Sequence, residues 1–158
     1  MRHYAYPDVT WHYLLEGIDS TKLTSTNKYI TSTVVFNFLI VIGAGHGIGT
    51  LGLVGILWLP NILTGEFNFV LFGEYQESLA ANAVVSLVGQ ALFLAALFGQ
   101  RKKYLVLPGA TIMLLSFISL THTISFDSLA TIGLITGIPF LISLGILLLK
   151  IWKNKDAM

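Results

Sequence analysis

The sequence predicts an all-α fold, an integral membrane four-helix bundle with both termini cytoplasmic and a short amphipathic helix at the N-terminal interface. Three observations predict it. First, 54% of the 158 residues are hydrophobic and only 11% charged, against a charged share of roughly 25% in soluble domains. Second, the mean hydropathy is +0.77. Third, four stretches contain no Asp, Glu, Lys or Arg: Tyr29 to Gly65, Ser78 to Gln100, Tyr104 to Phe126 and Ser128 to Leu149. A helix needs roughly 20 apolar residues to cross a hydrocarbon core of about 30 Å. Runs of this kind leave no polar face for water, which excludes an ordinary soluble helical domain. A net charge of +1 supplies no general attraction to nucleic acid, and none is expected as a partner. The absence of Cys removes disulfides, thiolate nucleophiles and Cys-ligated metal sites.

Residues 1–28 read as a cytoplasmic amphipathic segment rather than a cleaved signal, because they are polar and aromatic where a signal would carry a short apolar core. Asp8 is a candidate cap, and Trp11, Leu14, Leu15 and Ile18 fall on one helical face. Residues 29–158 form the membrane domain, with spans expected at about 30–52, 79–100, 104–125 and 128–150. The first run is long for one crossing, about 50 Å as a helix. Its excess is assigned to an outer interfacial loop over 53–78, where Trp58, Pro60, Phe67, Phe69, Phe72 and Tyr75 read as an aromatic belt.

Charge sets the orientation. Lys22 and Lys28 precede the first span, Arg101, Lys102 and Lys103 join the second to the third, and Lys150, Lys153 and Lys155 follow the fourth. Glu66, Glu74, Glu77 and Asp127 occupy the other two links. Basic residues mark the cytoplasmic side, so four spans with both termini inside satisfy every link. The expected location is a plasma or inner membrane, crossed several times.

Small residues come next. Gly45, Gly49 and Gly52 read as one helical groove, and Gly133 and Gly137 repeat the four-residue spacing that lets membrane helices approach closely. Two histidines then stand out, because ionisable residues within spans are functional candidates. Counted from Lys28 and Lys103, His46 and His122 lie at similar depths, about 27 to 28 Å along their helices. As a facing pair they are candidate metal ligands for a haem b; as separate residues they are wet side chains near the outer interface. Asn82, Ser86 and Gln90 are spaced by four and share a face of the second span.

With Thr50, Thr123 and Thr131, these side chains concentrate polarity in the outer halves of the spans, Gln90 lying about midway. The pattern predicts a polar pocket open outward and sealed toward the cytoplasm, with His46, Thr50, Asn82, Ser86, Gln90 and His122 as its lining. No catalytic constellation is visible. The expected role is that of a non-enzymatic accessory or assembly subunit of a membrane complex, partnered by the bilayer and by other subunits or itself, with no cofactor. One alternative is a homo-oligomeric transporter or pore for a small solute or ion; another is a haem b electron-transfer subunit.

Overall fold

The computed structural model describes residues 20–44, 47–65, 67–98, 102–122 and 128–153. Most of the expected N-terminal amphipathic segment, together with Gly45, His46 and Thr123, lies outside them. The described residues are almost all helical, apart from one two-stranded hairpin. In chain order the elements are α1 (Ser20–Phe38), β1 (Val41–Ala44), β2 (Gly47–Thr50), α2 (Leu51–Thr64), α3 (Tyr75–Phe98), α4 (Lys102–Thr121) and α5 (Ser128–Lys153).

Among the described residues, three segments are long and apolar enough to cross a membrane: Tyr75–Phe98, Tyr104–Thr121 and Thr131–Lys153. The first expected span is different. A helix over 30–52 is not what forms, because α1 stops at Phe38 and the glycine-rich stretch becomes a β-hairpin. The cause is a period. Gly43, Gly45, Gly47 and Gly49 recur every second residue, and Val41 and Ile42 are β-branched. Each glycine in a helix interior costs about 1 kcal/mol relative to alanine, so four of them weaken a helix by roughly 4 kcal/mol. Alternation by two is instead the strand repeat. The antiparallel register places a bulky residue opposite a glycine, Ile42 against Gly49 and Gly43 against Ile48.

The loop expected from residue 53 is corrected as well, since α2 occupies its first part. Thr50 caps that helix, its Oγ1 accepting from the Leu53 amide at 3.4 Å. Gly65 ends it at φ 75°, a left-handed conformation that favours glycine, and its amide bonds the Ile62 carbonyl. At 1.5 Å per residue α2 is about 21 Å long, too short to cross. The link 67–74 then returns to the start of α3, with Phe67 between Trp58 and Phe69 at ring separations of 6.1 and 6.0 Å.

Packing closes on itself: α1 lies against α3 and α5, α3 against α4, and α4 against α5. Backbones approach closely where α3 meets α4: a Cβ on Gly89 would stand 3.0 Å from the Gly109 carbonyl and one on Gly109 would stand 3.1 Å from the Gly89 carbonyl. Phe93, Val106, Met113, Phe140 and Leu147, all fully buried, fill the interior around it.

Three contacts fix the ends. Lys150 Nζ sits 4.2 Å above the Tyr29 ring, and the hydroxyls of Thr33 and Ser143 meet at 2.9 Å. At the far end, the Gly43 amide donates to the Tyr75 hydroxyl at 3.2 Å. Ten residues of α1 from Tyr29 and four of β1 therefore cover about 28 Å between the Lys150 level and the Tyr75 level. Half a helix and one strand together match the reach of a single crossing.

Candidate functional site

The α3 row is the natural starting point. Asn82, Ser86 and Gln90 are all buried, and four-residue spacing stacks them on one side of the helix. Opposite the lower pair stands Asn37, the last buried polar residue of α1. Its Oδ1 accepts from Ser86 Oγ at 2.6 Å and from Gln90 Nε2 at 2.7 Å. One turn toward the Tyr75 end, Asn82 Nδ2 donates to the Ser78 carbonyl at 2.9 Å, the Leu71 carbonyl at 3.1 Å and Ser119 Oγ at 3.0 Å. Ser119 Oγ also donates to the Leu71 carbonyl, and Ser116 Oγ to the Asn82 carbonyl at 2.6 Å. The row thus ties together α1, α3, α4 and the link before α3.

Two of its atoms stay unpaired, Asn37 Nδ2 and Asn82 Oδ1. Exchanging the nitrogen and oxygen of Asn37 moves the unpaired atom from donor to acceptor without removing it, because the second position has no neighbour to bond. Asn82 cannot exchange, since its nitrogen faces two carbonyls. An unpaired amide atom away from water costs on the order of 1–3 kcal/mol, so this row holds unused bonding capacity at the centre of the fold.

The histidine that follows α4 borders the same row. His122 is exposed. Its Nδ1 lies 2.5 Å from the Ser119 carbonyl; a carbonyl only accepts, so Nδ1 carries the proton and Nε2 is the basic nitrogen. The ring meets Phe72 edge-on at 6.1 Å. Ser119 therefore touches His122 through its carbonyl and Asn82 through its hydroxyl. Polar groups run from exposed His122 down to Gln90; below them the Thr33–Ser143 hydroxyl pair stands in an interior otherwise made of Phe93, Ala96, Val106, Leu144 and Leu147. These polar side chains fill the space themselves by bonding to one another.

Thr50, predicted to line a pocket, serves as the α2 cap. His46 lies outside the described residues, so its distance to His122 is undefined, and among those described no three His, Cys, Asp or Glu side chains form a group able to hold a metal. Of the predicted packing glycines, Gly52 meets the Phe38 ring, Gly137 the Phe117 ring, and a Cβ on Gly133 would stand 3.3 Å from the Val41 carbonyl. Gly49 belongs to β2 instead of a helix, with the nearest Val54 methyl at 3.4 Å from a Cβ built there.

Non-helical backbone deep in a bundle needs partners for its amides. Here side chains supply them along the outer edge of β1: Thr136 Oγ1 accepts from the Val41 amide at 3.0 Å, and Tyr75 takes the Gly43 amide. The Leu51 amide closes back on the Ile40 carbonyl at 2.8 Å. Sequence reasoning passed over Asn37, Thr136 and Tyr75 as functional side chains. For Asn37 a signal existed, since Thr33 and Asn37 repeat the four-residue spacing of the α3 row. For Thr136 and Tyr75 none did, because their roles depend on the hairpin.

Compared with protein-family models, with curated proteins and with solved structures, the chain matches none.

Proposed function

We propose that this protein is a small non-enzymatic integral membrane subunit that works within a larger membrane assembly. One observation carries the reading. The half-length helix α2 is seated on the bundle through Gly52 and Gly55, while Leu53, Ile56, Leu57, Leu59 and Leu63 are 43 to 88% exposed. An apolar helix too short to span, anchored by glycines and bare on its other side, offers a partner helix a rigid surface within the bilayer. The seat is rigid because both ends of α2 are capped.

A second reading, a homo-oligomeric transporter or pore, rests on a different observation. The crossing made by α1 and β1 is broken beside Asn37, and broken helices in membrane proteins expose backbone where solutes bind. The polar row reaches from His122 to this break.

One measurement separates the two. A photo-reactive side chain placed at Leu57 in native membranes, followed by native mass spectrometry of the gently solubilised protein, should give a protein adduct of defined mass. A different polypeptide supports the accessory subunit; a second copy of this chain supports the oligomeric transporter. A monomer with lipid adducts alone overturns both. A Soret band in the same sample, lost in His122→Ala, would replace both with the haem reading.

A further inference from the structure

On the side of the molecule where α1 meets α5, an open groove of about 320 Å³ runs between Tyr29, Ser32 and Phe36 on one wall and Pro139, Ile142, Ser143 and Ile146 on the other. The spacing of these residues, by three and four, makes each wall a single helical stripe. Both stripes continue past the groove in the same chemical sense. On α5, Ile146 is followed by Lys150 and Lys153; on α1, Ser32 is preceded by Lys28. The helices run antiparallel, so all three lysines gather at one mouth. Neither α1 nor α5 contains an Asp or Glu.

We propose that this groove is a binding site for one anionic phospholipid, its phosphate at the lysine mouth and the first part of an acyl chain along the groove. The hydroxyls of the two wall serines are already satisfied. Ser32 Oγ donates to the Lys28 carbonyl at 2.8 Å, and Ser143 pairs with Thr33. The rest of the lining between them is mostly apolar, with Phe36, Pro139, Ile142 and Ile146, and suits hydrocarbon. The Tyr29 ring lies under the Lys150 ammonium, which places that charge at the same end of the groove. From Tyr29 to Phe36 the wall is about 10 Å long, the depth of the region just below a headgroup. An apolar slot ending in clustered ammonium groups is complementary to a lipid phosphate and its chain, and basic pockets between membrane helices bind such headgroups. A partner helix would fill the slot equally well but would have no use for three cations at its end.

The full-length protein in mixed micelles holding equal amounts of phosphatidylglycerol and phosphatidylcholine, with identical chains, provides the test. Native mass spectrometry should find one phosphatidylglycerol retained in preference to phosphatidylcholine. Lys28→Gln and Lys153→Gln should each lower that preference about fivefold. Ile142→Trp keeps every charge and blocks the groove at an exposed position, so it should abolish retention of both lipids. Equal retention of the two lipids by the native protein overturns the proposal. So does an unchanged preference in Ile142→Trp, which would mean attraction to the surface alone. A photo-reactive group at Ile142 that captures a polypeptide in place of lipid also overturns it.

Discussion

Asn37 carries more of the structure than its surroundings in the sequence suggest. It stands in a run of Thr, Val and Phe, yet its carbonyl oxygen gathers both hydrogen bonds that α3 sends to α1. Replacing it by leucine keeps the branched shape and strands Ser86 Oγ and Gln90 Nε2 at once. Interhelical hydrogen bonds in membranes average about 0.6 kcal/mol, and each buried group left without a partner adds a penalty. Asn37→Leu should therefore lower stability by about 1–2 kcal/mol, whereas Ser86→Ala, which removes one donor and leaves Asn37 Oδ1 still accepting from Gln90, should cost about 0.6 kcal/mol. Reversible unfolding in a detergent titration measures both; equal losses would mean that the amide does not organise the row. The α3 side of this network was legible in sequence through the spacing of Asn82, Ser86 and Gln90. Asn37 was not, because an isolated amide acquires meaning only from what faces it.

Glycines show how the same residue serves two kinds of element. In α5 they allow close contact: a Cβ on Gly137 would overlap the Phe117 ring, while one on Gly145 would meet nothing. Gly137→Ala should thus destabilise the protein by about 1–3 kcal/mol through overpacking. Gly145→Ala should be neutral or stabilise the helix by up to about 1 kcal/mol. Thermal unfolding of the two variants side by side checks the pair, and equal shifts would remove the packing role assigned to Gly137. In the first apolar run, by contrast, Gly43, Gly47 and Gly49 belong to strands. A spacing of four is also twice a spacing of two, so Gly45 and Gly49 satisfied a helical groove and a strand face equally. Gly47 and Ile48, which stand between them, decide for the strand.

Charge is segregated across the protein. Lys28, Lys150 and Lys153 lie at one end, and Glu74 and Glu77 lie with Tyr75 at the other. Alternation of the helices produces this from a sequence whose links alternate in sign. With basic residues inside, a cysteine at exposed Phe72 should react with an impermeant maleimide added to intact cells. Cysteines replacing Lys28 and Lys153 should react only after permeabilisation. Reaction of Lys28→Cys and Lys153→Cys from opposite sides would contradict the composite crossing of α1 and β1, and reversal of all three would invert the orientation.

Composition and hydropathy were enough to read a helical membrane protein with long apolar crossings, because burial in lipid demands a minimum apolar length that nothing else in the chain can counterfeit. The polar row of α3 was readable for a related reason: a helix keeps its period whatever surrounds it. The break between α1 and β1, the capped half-helix and the partners of Asn37 were not readable. Each depends on backbone or side-chain groups finding mates across distant parts of the chain, as the Val41 amide finds Thr136 and the Gly43 amide finds Tyr75. A strand at that depth is affordable only once those mates are in place, and pairing of that kind exists in three dimensions before it can be seen in one.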